Sequence, residues 1–147
     1  MKNLEIRNHY YYLCSIQLVL YHMKNKKELS EQLLEAWEET HKKGQLTLWI
    51  FLALRDGPKY VNEIKTFIES NTAQTIICEE QSLYRALRKF QLVEMTGFNP
   101  GKGDGGPDRK YYYITPMGED ILDRFIERNI RLFFRPEIEN LMNRKQL

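Results

Sequence analysis

The feature that most constrains the fold is a glycine- and proline-rich stretch, residues 99–109, between two short stretches rich in apolar and aromatic residues. It contains four of the chain's eight glycines and two of its five prolines. The flanking stretches, residues 92–98 and 110–115, have the composition of β-strands. This pattern predicts a β-hairpin with a long tip. The basic side chains at the ends of that tip are Lys102, Arg109 and Lys110.

A short amphipathic segment, residues 81–90, precedes the hairpin. Its apolar residues recur at helical spacing and predict a helix with one narrow buried face. The other side of this helix presents Gln81, Ser82, Tyr84, Arg85, Arg88 and Lys89. Arginine and glutamine can form paired hydrogen bonds with guanine and adenine edges, so this helix is suited to the DNA major groove. The alternative is a solvated helix face that binds nothing.

Two further helices are predicted before this segment. The first covers residues 46–54 and ends at a turn over residues 55–58. Pro58 is compatible with the first turn of the second helix, which ends near residue 72. Residues 75–78 form either a short strand or an extended connector. The order helix, helix, basic helix and basic hairpin is that of a winged helix-turn-helix.

The two ends of the chain also have helical patterns. Residues 10–23 are apolar nearly all round, which predicts a buried helix. Residues 24–27 are expected to break it, and a second helix over residues 28–42 is expected to end at a left-handed Gly44. At the other end, Thr115 is expected to cap a helix with an apolar stripe as far as Pro136, followed by a short last helix.

The predicted fold class is mainly α with a small β-hairpin (α+β). It comprises an N-terminal helical extension (residues 1–39), a winged helix-turn-helix (residues 40–115) and C-terminal dimerisation helices (residues 116–147).

Composition restricts the possible functions. The formal net charge is only +2, but residues 81–115 carry six basic side chains against Glu94, Asp104 and Asp108. Such a local surplus can bind phosphates. Cys14 and Cys78 form no C-x-x-C motif, and three histidines lack zinc spacing, so no metal or other cofactor is expected. Two thiols in a chain of this size fit a reducing compartment, so a cytoplasmic location is expected. No nucleophile, base and orienting group assemble into a catalytic pattern, so the chain is interpreted as a protein that is not an enzyme.

Three local patterns have competing interpretations. Residues 101–106 match G-x-G-x-x-G, but a strand is predicted after them instead of the helix that a dinucleotide site requires, so they are interpreted as the hairpin tip. Four arginines share one side of the C-terminal helix, where i,i+4 pairs with acidic residues favour a salt-bridged face over a second DNA-binding stripe. Trp37 and Trp49 could line a ligand pore, but Trp49 lies among leucine and isoleucine and is assigned to the core.

Three motifs resemble the PadR family of bacterial and archaeal transcriptional regulators. Residues 44–58 contain Gly-Gln-Leu, an apolar helix and Gly-Pro, similar to the family's opening helix. Residues 82–89, SLYRALRK, resemble its recognition-helix motif T-L-Y-x-A-L-R-R. Residues 106–112, GPDRKYY, followed by Ile114-Thr115 and Gly118, resemble its wing and the cap of its C-terminal helix.

The sequence also departs from the family pattern. Asn62 replaces the tyrosine of the family's G-P-x-H-G-Y-E-I motif, which removes an expected DNA-backbone contact. Gln91 alone separates the predicted basic helix from the first predicted strand, so the wing is expected to start abruptly.

The resemblance implies a homodimer, joined by terminal helices, that binds double-stranded DNA at a palindromic operator and acts as a repressor. The N-terminal extension and short tail would suit the family branch of the cyanobacterial circadian period-extender. Two alternatives stay open: a winged-helix protein-interaction module, and a repressor that responds to a small-molecule effector.

Overall fold

A computed structural model describes the backbone of residues 2–103 and 105–144, and the side chains of residues 23–103 and 105–144. Five α-helices and one β-hairpin make up this part of the chain: α1 (Lys2–Arg55), α2 (Val61–Asn71), α3 (Glu80–Leu92), β1 (Thr96–Gly101), β2 (Arg109–Ile114), α4 (Pro116–Phe125) and α5 (Pro136–Met142). The mainly α fold with a small hairpin is therefore confirmed. The chain divides into two compact units, residues 1–44 and 45–147. None of the described helices is long and apolar enough to cross a membrane.

Helix α1 continues through both places at which the sequence predicted the end of a helix. Neither the break at residues 24–27 nor the left-handed stop at Gly44 occurs, and both predictions were wrong. Lysine and glutamate are good helix formers, and a single glycine inside a helix costs only about 1 kcal/mol relative to alanine. Without a proline or a competing contact, the helix continues as far as Arg55. The predicted burial of residues 10–23 lies outside the described side chains.

The core of the unit formed by residues 45–147 lies where the end of α1 packs with α2 and α3. Its fully buried side chains include Ile50 and Ala53 of α1, Ile64 and Ile68 of α2, and Leu83 of α3. These positions recur at helical spacing, and each helix contributes one face. Trp49 packs against this core, and its Nε1 donates to Gln45 Oε1 at 3.2 Å, which confirms its assignment.

Helix α2 begins at Val61, three residues after Pro58, so the prediction that Pro58 lies in its first turn was wrong. Lys59 instead pairs with Tyr112 of β2: its N–H donates to the Tyr112 carbonyl at 3.0 Å, and it accepts from the Tyr112 N–H at 2.9 Å. This pairing holds the chain in an extended conformation before the helix can start. Glu63 then accepts a hydrogen bond from the Tyr60 N–H at 3.0 Å and caps the first turn.

The connection between α2 and α3 is an extended connector, which settles the alternative left open for residues 75–78. Ala73 and Gln74 both have positive φ and reverse the chain after α2. Ile76 and Cys78 are buried and anchor the connector to the core. The angle between α2 and α3 is thus fixed by packing on both sides of the turn.

Helix α3 extends two residues beyond its predicted end, and β1 begins only at Thr96. The prediction of a strand from residue 92 was wrong: Leu92 ends the helix and is 78% exposed. Glu94, at φ +60°, reverses the chain, and the Met95 N–H donates to the Phe90 carbonyl at 2.9 Å. The wing therefore starts after a left-handed turn and not abruptly.

The hairpin pairs β1 with β2 in antiparallel register, from Thr96 opposite Ile114 to Gly101 opposite Arg109. Tyr112 is buried in the core, and Phe98 and Ile114 pack against the core beside it. Because side chains alternate along a strand, Arg109, Tyr111 and Tyr113 lie on the opposite face. The G-x-G-x-x-G segment connects the two strands, as predicted for a hairpin tip; Asp104 within it lies outside the described residues.

Thr115 caps α4 as predicted. Its Oγ1 accepts from the Gly118 N–H at 3.1 Å and donates to the Glu94 carbonyl at 2.6 Å, and Pro116 occupies the first turn. Gly118 is required here, because a Cβ at this position would overlap the Met95 carbonyl. The cap thus connects α4 directly to the turn that follows α3.

The predicted helix between Thr115 and Pro136 is not a uniform α-helix. Helix α4 is followed by a π-helical turn (Ile126–Ile130) and a 3₁₀ turn (Arg131–Phe134), and α5 follows Pro136. Arg55, at the end of α1, forms ion pairs with Glu119 and Asp123 of α4. Desolvation lowers the pKa of Arg55, but the hydrogen bonds that its guanidinium donates to the two carboxylates, together with their negative charge, outweigh it and raise that pKa.

Candidate nucleic-acid interface

Helix α3 is fixed to the core along one narrow face. Leu83 and Leu87 are fully buried, Ala86 and Phe90 are partly buried against the core, and the Phe90 ring lies 4.7 Å from that of Phe51. This face is the one that the sequence pattern predicted. It leaves the other side of the helix available to a ligand.

The outer face of α3 carries all six residues predicted to contact DNA. Five of them are exposed and Ser82 is half-buried; the exposed ones are Gln81, Tyr84, Arg85, Arg88 and Lys89. Arg85 bends back along its own helix, where its Nε donates to the Gln81 carbonyl at 3.3 Å and its Nη2 to Ser82 Oγ at 3.4 Å. These are long, exposed hydrogen bonds that a base edge could replace at low cost.

The wing carries its three predicted basic residues in different environments. Lys102 is exposed at the tip. Lys110 is exposed on β2 and its Nζ lies 4.3 Å from the centre of the Phe98 ring. Arg109 is half-buried, and its guanidinium carbon lies 4.4 Å from the centre of the Tyr60 ring. Both contacts have the geometry of cation–π interactions.

The basic residues of α3 and the wing differ from most other lysines and arginines of the described chain in having no salt-bridge partner. Among the described residues, none of Arg85, Arg88, Lys89, Lys102, Arg109 and Lys110 has a carboxylate within salt-bridge distance. Eight other lysines and arginines do have such a partner, among them Arg55, Lys59 and Arg131. Positive charge on α3 and the wing is thus left without internal compensation, which suits a surface that meets phosphates.

A cleft of about 470 Å³ separates the start of α3 from the wing. Tyr60 and Asn62 line it from α2 and its cap, Tyr84 from α3, and Arg109 and Lys110 from β2. Glu80 also lines it, and this carboxylate lies in the first turn of α3, where the helix dipole favours negative charge. Three of the predicted residues, Tyr84, Arg109 and Lys110, are therefore brought to one concave surface.

Tyr60 lines this cleft beside Arg109 but is not among the residues predicted from the sequence. The nearest departure from the family motif is at Asn62, and no local pattern indicates a contact between Tyr60 and the wing. The position of Tyr60 beside the wing follows from the pairing of Lys59 with Tyr112, and a one-dimensional pattern does not contain this pairing.

Two of the four C-terminal arginines form the i,i+4 ion pairs that favoured a salt-bridged face over a second DNA-binding stripe. Arg124 pairs with Asp120 at 3.4 Å and Arg131 with Glu127 at 2.8 Å. These two cations are neutralised locally, in contrast to those of α3 and the wing.

No group of three or more potential metal ligands occurs among the described residues. Cys78 is buried, and desolvation raises the pKa of its thiol, which keeps it protonated and poorly nucleophilic at neutral pH. Cys14 and His9 lie outside the described side chains.

Solved structures similar to this chain include several PadR-like regulators. A PadR-like transcription factor from Bacteroides fragilis is 26% identical and superposes with a TM-score of 0.54, over 67% of this chain and 91% of that one. A PadR-like regulator from Bacillus cereus is 24% identical with a TM-score of 0.56, over 70% and 96% of the two chains. A PadR family regulator from Eggerthella lenta is 22% identical with a TM-score of 0.54, over 84% and 99%.

No protein-family model matches the sequence. No curated protein matches it either. The structural neighbours from Bacteroides fragilis and Bacillus cereus are described as a transcription factor and a transcriptional regulator. With the order of its helices and its wing, the chain has a winged helix-turn-helix fold similar to that of these PadR-like neighbours.

Proposed function

We propose that the chain is a sequence-specific DNA-binding transcriptional regulator that acts as a repressor and binds a palindromic operator as a homodimer. The observation that carries this proposal is the outer face of α3, which is basic, exposed and without carboxylate partners among the described residues, beside a wing with the same property. Its PadR-like neighbours, which are described as transcriptional regulators, support the same conclusion.

In the proposed complex, α3 enters the major groove. Gln81, Ser82, Arg85 and Lys89 face the bases, and Tyr84 and Arg88 contact phosphates. The wing residues Lys102, Arg109 and Lys110 hold the DNA backbone or the minor groove. In a dimer, two copies of α3 about 34 Å apart would read half-sites one helical turn apart, and occupancy of the operator would exclude RNA polymerase.

A second copy of the chain would cover apolar residues that each unit leaves exposed. In the unit of residues 1–44 these include Leu29, Leu33 and Trp37 of α1. In the unit of residues 45–147 they include Phe133 and Phe134. Exposed large apolar side chains at helical spacing are typical of protein interfaces.

The test is a selection of bound fragments from a random duplex pool, followed by titration of the best fragment at two salt concentrations. We expect an inverted repeat, and an affinity that falls steeply with salt because bound counterions are released. No enrichment together with salt-insensitive binding would refute the proposal, and the protein-interaction alternative would then be pursued by affinity capture.

Two substitutions distinguish the predicted roles. Arg85→Ala should reduce the preference for the selected site, with a loss of about 1–3 kcal/mol on that site and little on random DNA. Arg109→Ala should weaken binding to all duplexes and reduce the salt slope by about one unit. Arg124→Ala is the matched control, because Arg124 is paired with Asp120 and lies outside the proposed interface. If both α3 and wing variants bind as tightly as this control, the assignment of the DNA-binding face is wrong.

A further inference from the structure

The side chain of Arg109 is confined on two sides. The ring of Tyr60 lies against its guanidinium, with 4.4 Å between the guanidinium carbon and the ring centre. On another side lies Gly103 of the wing tip, where an added Cβ would be only 2.9 Å from Arg109 Nε. An arginine on a hairpin would otherwise sample many rotamers, at a cost in free energy when a ligand fixes it.

Tyr60 is itself held in place by the fold. The two hydrogen bonds between Lys59 and Tyr112 attach the chain to β2, and the capping hydrogen bond to Glu63 fixes the Tyr60 backbone. Since Lys59 is opposite Tyr112, the next residue lies beside Tyr111, and the Tyr60 and Tyr111 rings pack edge to face at 5.7 Å. Tyr60 is therefore a rigid support and not a mobile surface tyrosine.

The contact also places a positive charge at the rim of the cleft between α3 and the wing. Tyr60 and Arg109 line this cleft together with Tyr84. Among the described residues, Arg109 forms no salt bridge and no hydrogen bond through its side chain, so its N–H groups remain available. A phosphate oxygen is the ligand that suits a planar guanidinium in this position.

We propose that Tyr60 is a positioning residue for DNA binding: it holds the Arg109 guanidinium in advance in the orientation that meets a backbone phosphate. The inference rests on the proposed function and adds a residue from outside α3 and the wing to the interface. A cation–π contact at an exposed site contributes about 0.5–1 kcal/mol, which corresponds to an effect of about 2- to 5-fold on affinity.

The test compares Tyr60→Leu with Tyr60→Phe in the full chain, by fluorescence anisotropy with a random-sequence 24-base-pair duplex at two salt concentrations. Leucine removes the aromatic face, whereas phenylalanine keeps it. We expect Tyr60→Leu to weaken binding about 2- to 5-fold and Tyr60→Phe to bind within about 1.5-fold of the wild type. Tyr113→Leu is the matched control, because it removes a tyrosine from the same face of β2 about 13 Å along the strand from Arg109.

A double-mutant cycle shows whether the effect passes through Arg109. In an Arg109→Ala background, Tyr60→Leu should have no further effect on affinity. An undiminished effect in that background, or equal affinities for the leucine and phenylalanine variants, would overturn the inference. Circular dichroism and thermal melting of each variant separate a loss of fold from a loss of positioning.

The two proposals fail in different ways. If the wild type shows no salt-dependent affinity for the duplex, the proposed function itself is wrong. If the wild type binds and Arg109→Ala weakens binding, but Tyr60→Leu does not, only the role of Tyr60 is refuted.

Discussion

Two threonines at the ends of the wing illustrate how one hydroxyl group can have opposite effects. Thr96 begins β1, is 2% exposed, and its Oγ1 has no hydrogen-bond partner among the described residues. Thr115 follows β2, and its Oγ1 both accepts from Gly118 and donates to Glu94. A buried polar atom without a partner destabilises the fold, whereas a capping hydroxyl stabilises it.

The substitution Thr→Val at each position tests this difference. We expect Thr96→Val to raise the free energy of unfolding by about 1 kcal/mol, because it removes the desolvated hydroxyl and retains the volume of the side chain. Thr115→Val should lower it by about 1–2 kcal/mol through loss of the cap. Urea denaturation followed by circular dichroism measures both, and a destabilised Thr96→Val variant would indicate that the hydroxyl has a partner in solution.

At the scale of elements, the connection from α3 to β1 decides the position of the wing. Leu92 and Val93 have the composition of a strand but lie in the last turn of α3 and just after it, both largely exposed. The chain turns at Glu94 in a left-handed conformation that a non-glycine residue adopts at a cost of about 1–2 kcal/mol. The hydrogen bonds from Met95 to Phe90 and from Thr115 to Glu94 hold this conformation.

Replacing Glu94 by glycine should relieve the strain. We expect Glu94→Gly to raise the free energy of unfolding by about 0.5–1 kcal/mol, after subtraction of the larger entropy of glycine in the unfolded chain. Gln91→Gly is the control, since glycine inside α3 should lower the free energy of unfolding by about 1 kcal/mol. Thermal melting of the two variants gives the comparison, and destabilisation in both would show that the turn at Glu94 is not left-handed in solution.

For the whole molecule, the exposed apolar side chains of α1 are the feature that a single chain leaves unexplained. Trp37 is 75% exposed and Leu33 is 63% exposed, one helical turn away. Trp37 lies on the same side of α1 as Leu33 and Leu34, and no described residue covers that side. We expect a second copy of the chain to bury it, as proposed for the homodimer.

Sedimentation equilibrium of Trp37→Glu tests this expectation. A charge at the centre of an apolar interface should weaken dimerisation by at least about tenfold, because the carboxylate would be desolvated without a partner. Glu35→Lys is the control, since residue 35 lies on the opposite side of α1 at 3.6 residues per turn. A Trp37→Glu variant that dimerises as the wild type does would move the interface away from this part of α1.

The elements whose signals are local could be predicted from residue type and spacing. The apolar faces of α2 and α3, the hairpin around its glycines, and the cap at Thr115 followed from spacing and residue type, and so did the exposure of five of the six predicted residues on α3. These features depend on neighbours within about four residues along the chain, so periodicity and capping chemistry suffice to find them. The placement of the chain in a cyanobacterial branch of the family remains a prediction.

Contacts between segments distant in the sequence set where elements begin and end, and which side chains meet. The pairing of Lys59 with Tyr112 delays α2, and it places Tyr60 beside Arg109, 49 positions away in the sequence. Helix α1 continues through Gly44, and α3 continues through Leu92, because no contact ends either helix at the residues where composition suggested an end. Hydrogen bonds and ring contacts between distant segments contribute as much free energy as local propensities do, and their partners cannot be identified from a one-dimensional pattern.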